Sequence, residues 1–334
     1  MGELILAVEG TAFAGTLAIV LALVSAFAHA AFGALQKGAG DPWTIRGAVD
    51  LAILILALPV ALFLVPAPSP TLWWVLLGVW AIHTAYKGLQ TAAYVRGAYT
   101  VVYPIARGSA VLTTVLFAWA AFGEAFTPGQ WGGVAVLSAG IMALSLANLR
   151  GRALQRETLA AALGLALASG LSIAAYTTYD AWGIRLAADP FTFLAWFFVI
   201  DGWTFPLIWL WLRRRTLAAA RESAVGPSFP PAAETSAPPE LPRAAAPPPL
   251  GRVGPIRPHA RRAVLGALTA FVSFGCVMLA TRLDKVGEAV ALRETSVVFA
   301  ALLGWLFLRE PLGPLRAGLM IAIGLGAAAV QVFG

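Results

Sequence analysis

The chain has 334 residues, of which 60% are hydrophobic and 12% charged, with a formal net charge of +7. A soluble domain carries roughly 25% charged residues, so most of this surface cannot face water. The basic excess lies between apolar segments rather than along one face, which argues against a nucleic-acid partner and makes Lys and Arg signals of membrane topology. The single cysteine, Cys276, excludes an intramolecular disulfide and any Cys-based metal cluster.

Apolar stretches long enough to cross a hydrocarbon core of about 30 Å at about 1.5 Å per residue run over 14–36, 45–64, 72–95, 99–122 and 128–148. After a short basic connection from Arg150 to Glu157, five more run over 159–184, 190–212, 262–282, 286–308 and 313–333. The expected fold is an all-α polytopic membrane protein with ten transmembrane helices. The first stretch contains Ala26-Phe27-Ala28 and Ala28-His29-Ala30, both of which look like signal-peptidase sites, but only Glu3 and Glu9 precede the apolar run. A signal peptide needs a positive leading region, so this stretch is expected to remain in the protein.

The chain also repeats itself. At an offset of 186, Arg107 falls on Arg293, Trp119 on Trp305, Glu124 on Glu310, Pro128 on Pro314, Gly132 on Gly318, Arg96 on Arg282 and Gly140 on Gly326. At an offset of 148, Lys37 falls on Arg185 and Asp41-Pro42 on Asp189-Pro190. A self-match of this kind marks an internal duplication. The expected units are residues 1–150 and 151–334, each with five helices; an odd number per half inverts the second half relative to the first. The two offsets differ because the second half holds an insertion over about 216–260, where eleven of the 22 prolines collect with Ala, Ser and Arg. That composition offers no core, so a disordered loop is expected. Connections after the odd-numbered stretches share one face of the membrane. Leaving out the long insertion, that face has eight Lys and Arg against three on the other. It is therefore expected to be cytoplasmic, in a bacterial inner membrane, with both termini outside.

A charge near the bilayer centre costs about 2.5–3.5 kcal/mol on insertion scales, so each one is a functional candidate. His29, Lys87 and Arg107 fall at one depth in the first half. His83, Lys87, Gln90 and Tyr94 share one face of the third stretch, and Tyr99, Tyr103 and Arg107 one face of the fourth, the spacing expected of a wet cavity. The second half contributes Tyr176, Thr177 and Asp180 with Arg293 and Glu294, and Asp201 sits near the middle of the seventh stretch. The expected substrate-binding set is His29, His83, Lys87, Gln90, Tyr94, Tyr103, Arg107, Tyr176 and Arg293. Asp50, Asp180, Asp201 and Glu294 are expected in proton coupling or ion pairs. Two alternatives stand beside this set. Asp50 pairing with Lys87 or Arg107, and Asp180 pairing with Arg293, would make both clusters structural staples, and a lone His29 or His83 would serve as an interhelical hydrogen-bonder. Glu124 and Glu310, before Pro at helix ends, suit capping. Trp43, Trp73, Trp74, Trp203, Trp209 and Trp211 suit interfacial anchoring.

YPIARG followed by GEAFTPGQWGG, and LRETSVVFAALLGWLFLREPL followed by PLRAGLMIAIG, resemble the two repeats of the drug/metabolite transporter superfamily in its ten-helix EamA-type branch. HAAFGALQKGAGDP resembles a first-helix pattern of that branch in which Trp-Asn usually stands where Phe32-Gly33 stands here. The resemblance implies secondary transport of small metabolites, often export of amino acids or related compounds, through a cavity between inverted halves. It also implies cytoplasmic termini, against the charge count. Buried cations point to an anionic or zwitterionic small-molecule substrate, with protons as a coupling ion and a monomer or homodimer in the bilayer. No cofactor, metal or catalytic residue is expected. GxSxG, HExxH and nucleotide-loop motifs are absent, which speaks against an intramembrane enzyme or an ATP-driven pump. A receptor or scaffold working through the Pro-rich loop, and a flippase for lipid-linked substrates, are the alternatives.

Overall fold

Proline and short polar caps set the helix boundaries. The computed structural model describes residues 2–36, 41–95, 99–149, 156–225, 253–308 and 313–334, all helix and connection with no strand among them. A short α1 (Gly2–Val8) precedes α2 (Ala12–Gln36), α3 (Pro42–Phe63), α4 (Pro70–Val95), α5 (Tyr99–Phe122), α6 (Pro128–Leu149) and α7 (Arg156–Leu186). Then follow α8 (Pro190–Gly202), α9 (Thr204–Val225), α10 (Ala260–Leu283), α11 (Val286–Arg293), α12 (Ser296–Leu308) and α13 (Pro314–Val332). Proline is favoured at the first helical position because its missing N–H has no intrahelical partner there anyway. Asp41 caps α3 by accepting from the Thr44 N–H and hydroxyl, each at 2.8 Å. Asp189 caps α8 in the same way, accepting from the Thr192 N–H at 2.8 Å and its hydroxyl at 2.7 Å. The two Asp-Pro signals matched at an offset of 148 are therefore the same device used twice.

Six helical stretches among the described residues are long and apolar enough to cross a membrane: Ala12–Leu35, Pro42–Phe63, Pro190–Arg221, Arg257–Leu283, Val286–Leu306 and Pro314–Val332. Two of them are broken. The seventh apolar stretch divides at Trp203 into α8 and α9, and the ninth divides at Glu294-Thr295 into α11 and α12. At the second break the Leu292 carbonyl accepts from both the Thr295 hydroxyl, at 2.5 Å, and the Thr295 N–H, at 3.1 Å, a tighter i→i−3 turn in place of the helical bond. Large apolar side chains such as Ile55, Phe63, Trp74, Ile321 and Leu325 lie exposed around the outside, far more apolar surface than water tolerates, so the protein is a multi-pass membrane protein.

Two apolar cores hold the bundle. One gathers α3, α4, α7, α8 and α10 around Leu76, Phe193 and Phe197; the other gathers α2, α5, α6, α11 and α13 around Val111, Leu137 and Ile323. Helix α2 packs along α10, α11 and α12; α5 packs along α7 and α6; α6 packs along α13; and α3 packs along α8, α9 and α10. The α6–α13 seam is made by glycine. A Cβ on Gly326 would lie 2.7 Å from the Leu137 nitrogen and 2.9 Å from the Gly133 carbonyl oxygen, so the two backbones touch.

The loop expectation needs correction at its edges. Residues 216–225 continue α9 as helix, since Leu-Ala-Ala-Ala-Arg-Glu is strongly helix-forming. On the far side, Val253 is buried, the Gly254 carbonyl accepts from Trp209 Nε1 at 3.1 Å and the Gly254 N–H donates to the Thr44 hydroxyl at 3.0 Å. The remainder, 226–252, lies outside the described residues. Trp209 is thus more than a surface anchor, as are Trp43, stacked on Phe205, and Trp73, edge-on to Trp196.

Two predictions follow from this packing. Gly326→Ala should lower thermal stability in detergent by about 1–3 kcal/mol, because its contacts are unyielding backbone, whereas Gly324→Ala, with nothing within 4 Å, should leave the melting curve in place. Replacing 226–252 by a Gly/Ser linker of equal length should preserve melting and monodispersity, and extending the replacement through Ile256 should lower the melting temperature.

Candidate functional site

Helix α4 presents His83 and Lys87 one turn apart, 3% and 4% exposed, to a row of carboxylates. Lys87 Nζ donates to Asp50 Oδ2 at 2.9 Å, to Asp201 Oδ2 at 2.7 Å and to the Asp201 carbonyl at 3.0 Å. That carbonyl is within reach because α8 ends one residue later, at Gly202, which packs against α3 too closely for a side chain: a Cβ there would lie 3.1 Å from the Asp50 carbonyl oxygen. Asp50 is fully buried and also meets Arg46, four residues back, at 3.2 Å. His83 stands between two acids, with Nε2 2.9 Å from Asp180 Oδ2 and Nδ1 3.4 Å from Asp201 Oδ1. The result is one continuous row, Arg46, Asp50, Lys87, Asp201, His83, Asp180, built from α3, α4, α7 and α8. Aromatic rings wall it: Phe205 under both Arg46 and Lys87, and Tyr176 with its centroid 4.8 Å from the His83 ring.

A second cluster forms where α2, α5 and α10 meet the α11–α12 break. Arg107 Nη1 donates to Glu294 Oε1 at 2.7 Å, and its Nη2 donates to His29 Nε2. A guanidinium has no lone pair to offer, so His29 must accept at Nε2 and carry its proton on Nδ1, which lies 3.3 Å from the Ser273 hydroxyl. His29 is neutral here. Arg293, 1% exposed, lies 5.0 Å from the Phe274 ring, and its Nε and Nη2 have no hydrogen-bond partner among the described residues. Between the clusters is a narrow crevice of about 10 Å³, room for one water molecule, lined by Tyr176, Thr177, Asp180, Phe274, Thr281 and Arg293. Asp180 Oδ1, like the two Arg293 nitrogens, Asp50 Oδ1 and Glu294 Oε2, is buried without a hydrogen-bond partner among the described residues.

These contacts redistribute the residues marked by the sequence. His29 and Arg107 do come together, but Lys87 does not join them: α4 packs on α7 and α8, while α2 and α5 carry their cations to α10 and α11. Asp50 pairs with Lys87 rather than Arg107, and Asp180 pairs with His83 rather than Arg293. Asp201, which the sequence leaves without a partner, is matched to Lys87 and His83. Gln90 donates to the Tyr86 hydroxyl at 2.7 Å, at the edge of the row. The side chains of Tyr94, Tyr99 and Tyr103, and Glu310, lie outside the described residues. Arg46 escaped the sequence reading although its spacing from Asp50 is the ordinary i, i+4 signal of a helical ion pair. Phe274 carries no signal beyond being apolar.

The end of the bundle opposite Arg46 is closed by other charges. Arg185 donates to the Thr281 and Asp284 carbonyls at 2.8 Å each and meets Glu124 at 3.3 Å. Glu124 in turn accepts from the Val286 N–H at 2.9 Å, so it caps α11. Arg282 donates to the Ile184 and Ala187 carbonyls and pairs with Glu9 at 3.1 Å. Burial pushes the Asp284 carboxyl above its ordinary value, reinforced by Glu288 and Glu124 and opposed by the Lys285 N–H.

Comparison with known proteins gives two likenesses. Residues 243–332 match the EamA-like transporter family. The fold of the whole chain is shared with a solved structure described only as "Crystal structure of protein", 18% identical, with 96% of each chain covered and a TM-score of 0.56. No curated protein matches the chain.

The charged row should be structurally stringent. Lys87→Met removes the cation between two buried acids and should cost about 3–5 kcal/mol of stability, the usual consequence of breaking a buried pair; adding Asp201→Asn should restore part of the loss, read by thermal unfolding of both purified variants.

Proposed function

Since residues 243–332 match the EamA-like transporter family, we propose that the protein is a secondary carrier moving a small zwitterionic metabolite, amino-acid-like in its charges, across the cytoplasmic membrane by alternating access. One observation carries the substrate class. Asp180, with one buried oxygen lacking a hydrogen-bond partner, and Arg293, with two such nitrogens, line the same crevice, and Arg293 is paired with no acid among the described residues, whereas Arg46, Lys87 and Arg107 each are. A buried polar group without a partner costs roughly 1–3 kcal/mol and more when charged, so these two ends call for a ligand that brings one cation and one anion. The carboxylate of the solute lies on Arg293, its ammonium on Asp180 Oδ1, and its side chain against Phe274 and Tyr176.

The packing supports a ten-helix inverted repeat. Numbering the apolar stretches one to ten, exchange of each with its partner five places on converts the α2–α10 pair into α4–α7, and the α2–α12 pair into α5–α7. It leaves α3–α8 and α6–α13 unchanged, and all of these pairs are in contact. Both broken helices border the charged clusters, as in carriers whose sites use discontinuous helices. The network of Arg185, Arg282, Glu124 and Glu9 closes one end, and the basic-residue count favours that end lying outside the cytoplasm.

Reconstituted protein should exchange labelled zwitterionic amino acids in counterflow. Arg293→Gln and Asp180→Asn should each lower flux at least a hundredfold, and Arg293→Gln should unfold near the wild-type temperature because it strands no partner. Arg107→Gln, which strands Glu294, should be the destabilised variant, rescued in part by Glu294→Gln. If Asp180→Asn carries zwitterions as fast as the wild type, the substrate assignment fails.

A further inference from the structure

We propose that His83 is the proton carrier of this site: it waits as an imidazolium between Asp180 and Asp201, and the ammonium group of an arriving zwitterion takes its place as the cation on Asp180, so that one proton leaves for each solute bound. The inference rests on the zwitterion reading above and adds how that site is coupled.

Hydrogen-bond valence begins the argument. Both ring nitrogens of His83 lie beside carboxylate oxygens: Nε2 hydrogen-bonds Asp180 Oδ2 at 2.9 Å, and Nδ1 is within ion-pairing distance of Asp201 Oδ1 at 3.4 Å. An ionised carboxylate only accepts, and a neutral imidazole has a single N–H, so a neutral ring would turn a lone pair on one of the two acids. Both contacts are attractive only when the ring carries two protons. His29 makes the contrast: its Nε2 faces the Arg107 guanidinium and its Nδ1 a serine hydroxyl, an arrangement that holds a ring neutral.

Charge balance points the same way. Around His83 stand Lys87 and the Tyr86 hydroxyl on its own helix, Asp180 and Tyr176 on α7, Asp201 on α8, Asp50 and Arg46 on α3 beyond Lys87, and Arg293 on α11 across the crevice. In the row itself three carboxylates face only two permanent cations, Arg46 and Lys87. The third positive charge is exchangeable, either a proton on His83 or the amine of a solute. When an ammonium docks at Asp180 Oδ1, two cations share one carboxylate in a medium of low dielectric and repel strongly. The weaker base of the two is the imidazole. The Nδ1–H bond breaks, the proton passes by way of Asp201 Oδ1 to water, and the neutral ring keeps its Nε2–H on Asp180. Exit of the solute reverses each step, so solute and proton exchange one for one.

The test uses the full chain in nanodiscs with L-alanine and L-phenylalanine as probes. Calorimetry in phosphate and in Tris, whose ionisation enthalpies differ, should give about one proton released per probe bound, and the apparent affinity should rise about tenfold per pH unit across the range where His83 is charged. In His83→Gln the release should fall to zero and the pH dependence should vanish. In the unliganded wild type, nitrogen-15 spectra of the three histidines should show one ring still doubly protonated at pH 8, missing in His83→Gln and lost on saturation with probe. Probe binding without proton release overturns the coupling while leaving the carrier reading intact; unchanged release in His83→Gln assigns the proton to an acid and overturns it as well. If His83→Gln does not fold, the wild-type spectra decide: a ring doubly protonated at pH 8 and lost on saturation with probe upholds the proposal, and three neutral rings at pH 7 sink it; if neither probe binds, the zwitterion reading fails and the coupling falls with it.

Discussion

Everything in the interior of this protein answers to the cost of leaving a charge alone in a medium that cannot solvate it. Arg46, Asp50, Lys87, Asp201, His83 and Asp180 form a row because each carboxylate needs a cation and each cation, at this depth, has no water to fall back on. The same rule draws Arg107 onto Glu294 and His29. Such pairs add little net stability compared with apolar packing, since desolvation offsets much of their attraction. Their effect is to fix which faces of α3, α4, α7 and α8 meet. Against that background Arg293 is conspicuous, since unlike Arg46, Lys87 and Arg107 it is paired with no acid among the described residues.

The bundle and the site follow different rules of inheritance. The self-match of the sequence runs through the scaffold: the Asp-Pro caps at Asp41 and Asp189, the tryptophans at 119 and 305, and the glycines of α6 and α13. It does not explain the chemistry. At the two offsets Asp180 falls on Phe32, Asp201 on Ile53, His83 on Thr269 and Lys87 on Ser273, so none of these charged residues has a like counterpart in the other half. Arg107 and Arg293 are the exception, equivalent by repeat and brought near a single acidic residue, Glu294. A symmetric frame carrying an asymmetric row of charges is what a directional device requires.

Much of this was legible in the residues, and the shortfall has physical causes. Apolar length located each helical stretch because hydrophobic runs need no partner to be recognised. The charged residues were identifiable one at a time, since any charge in such a run is anomalous. Their partners were not, because pairing depends on which helices adjoin, and depth alone placed Lys87 with His29 and Arg107 when α4 in fact faces α7 and α8. The break after Arg293 was equally hidden: Arg-Glu-Thr-Ser contains neither Gly nor Pro, the residues that ordinarily announce an interruption. The structured edges of the Pro-rich segment were missed for the opposite reason, a strong compositional signal that obscured a helix-forming run on one side and a buried valine on the other.

The glycine seam between α6 and α13 has a mechanical meaning. Where two helices meet through side chains, those side chains can change rotamer and let one element slip past the other. At Gly133 and Gly326 the main chains meet with nothing between them. Such a joint has no rotamers to spend and no intermediate packing to pass through, so it resists sliding far more than tilting. The alternating access proposed above would turn about this line, as about an axle, with the largest displacements on the helices farthest from it.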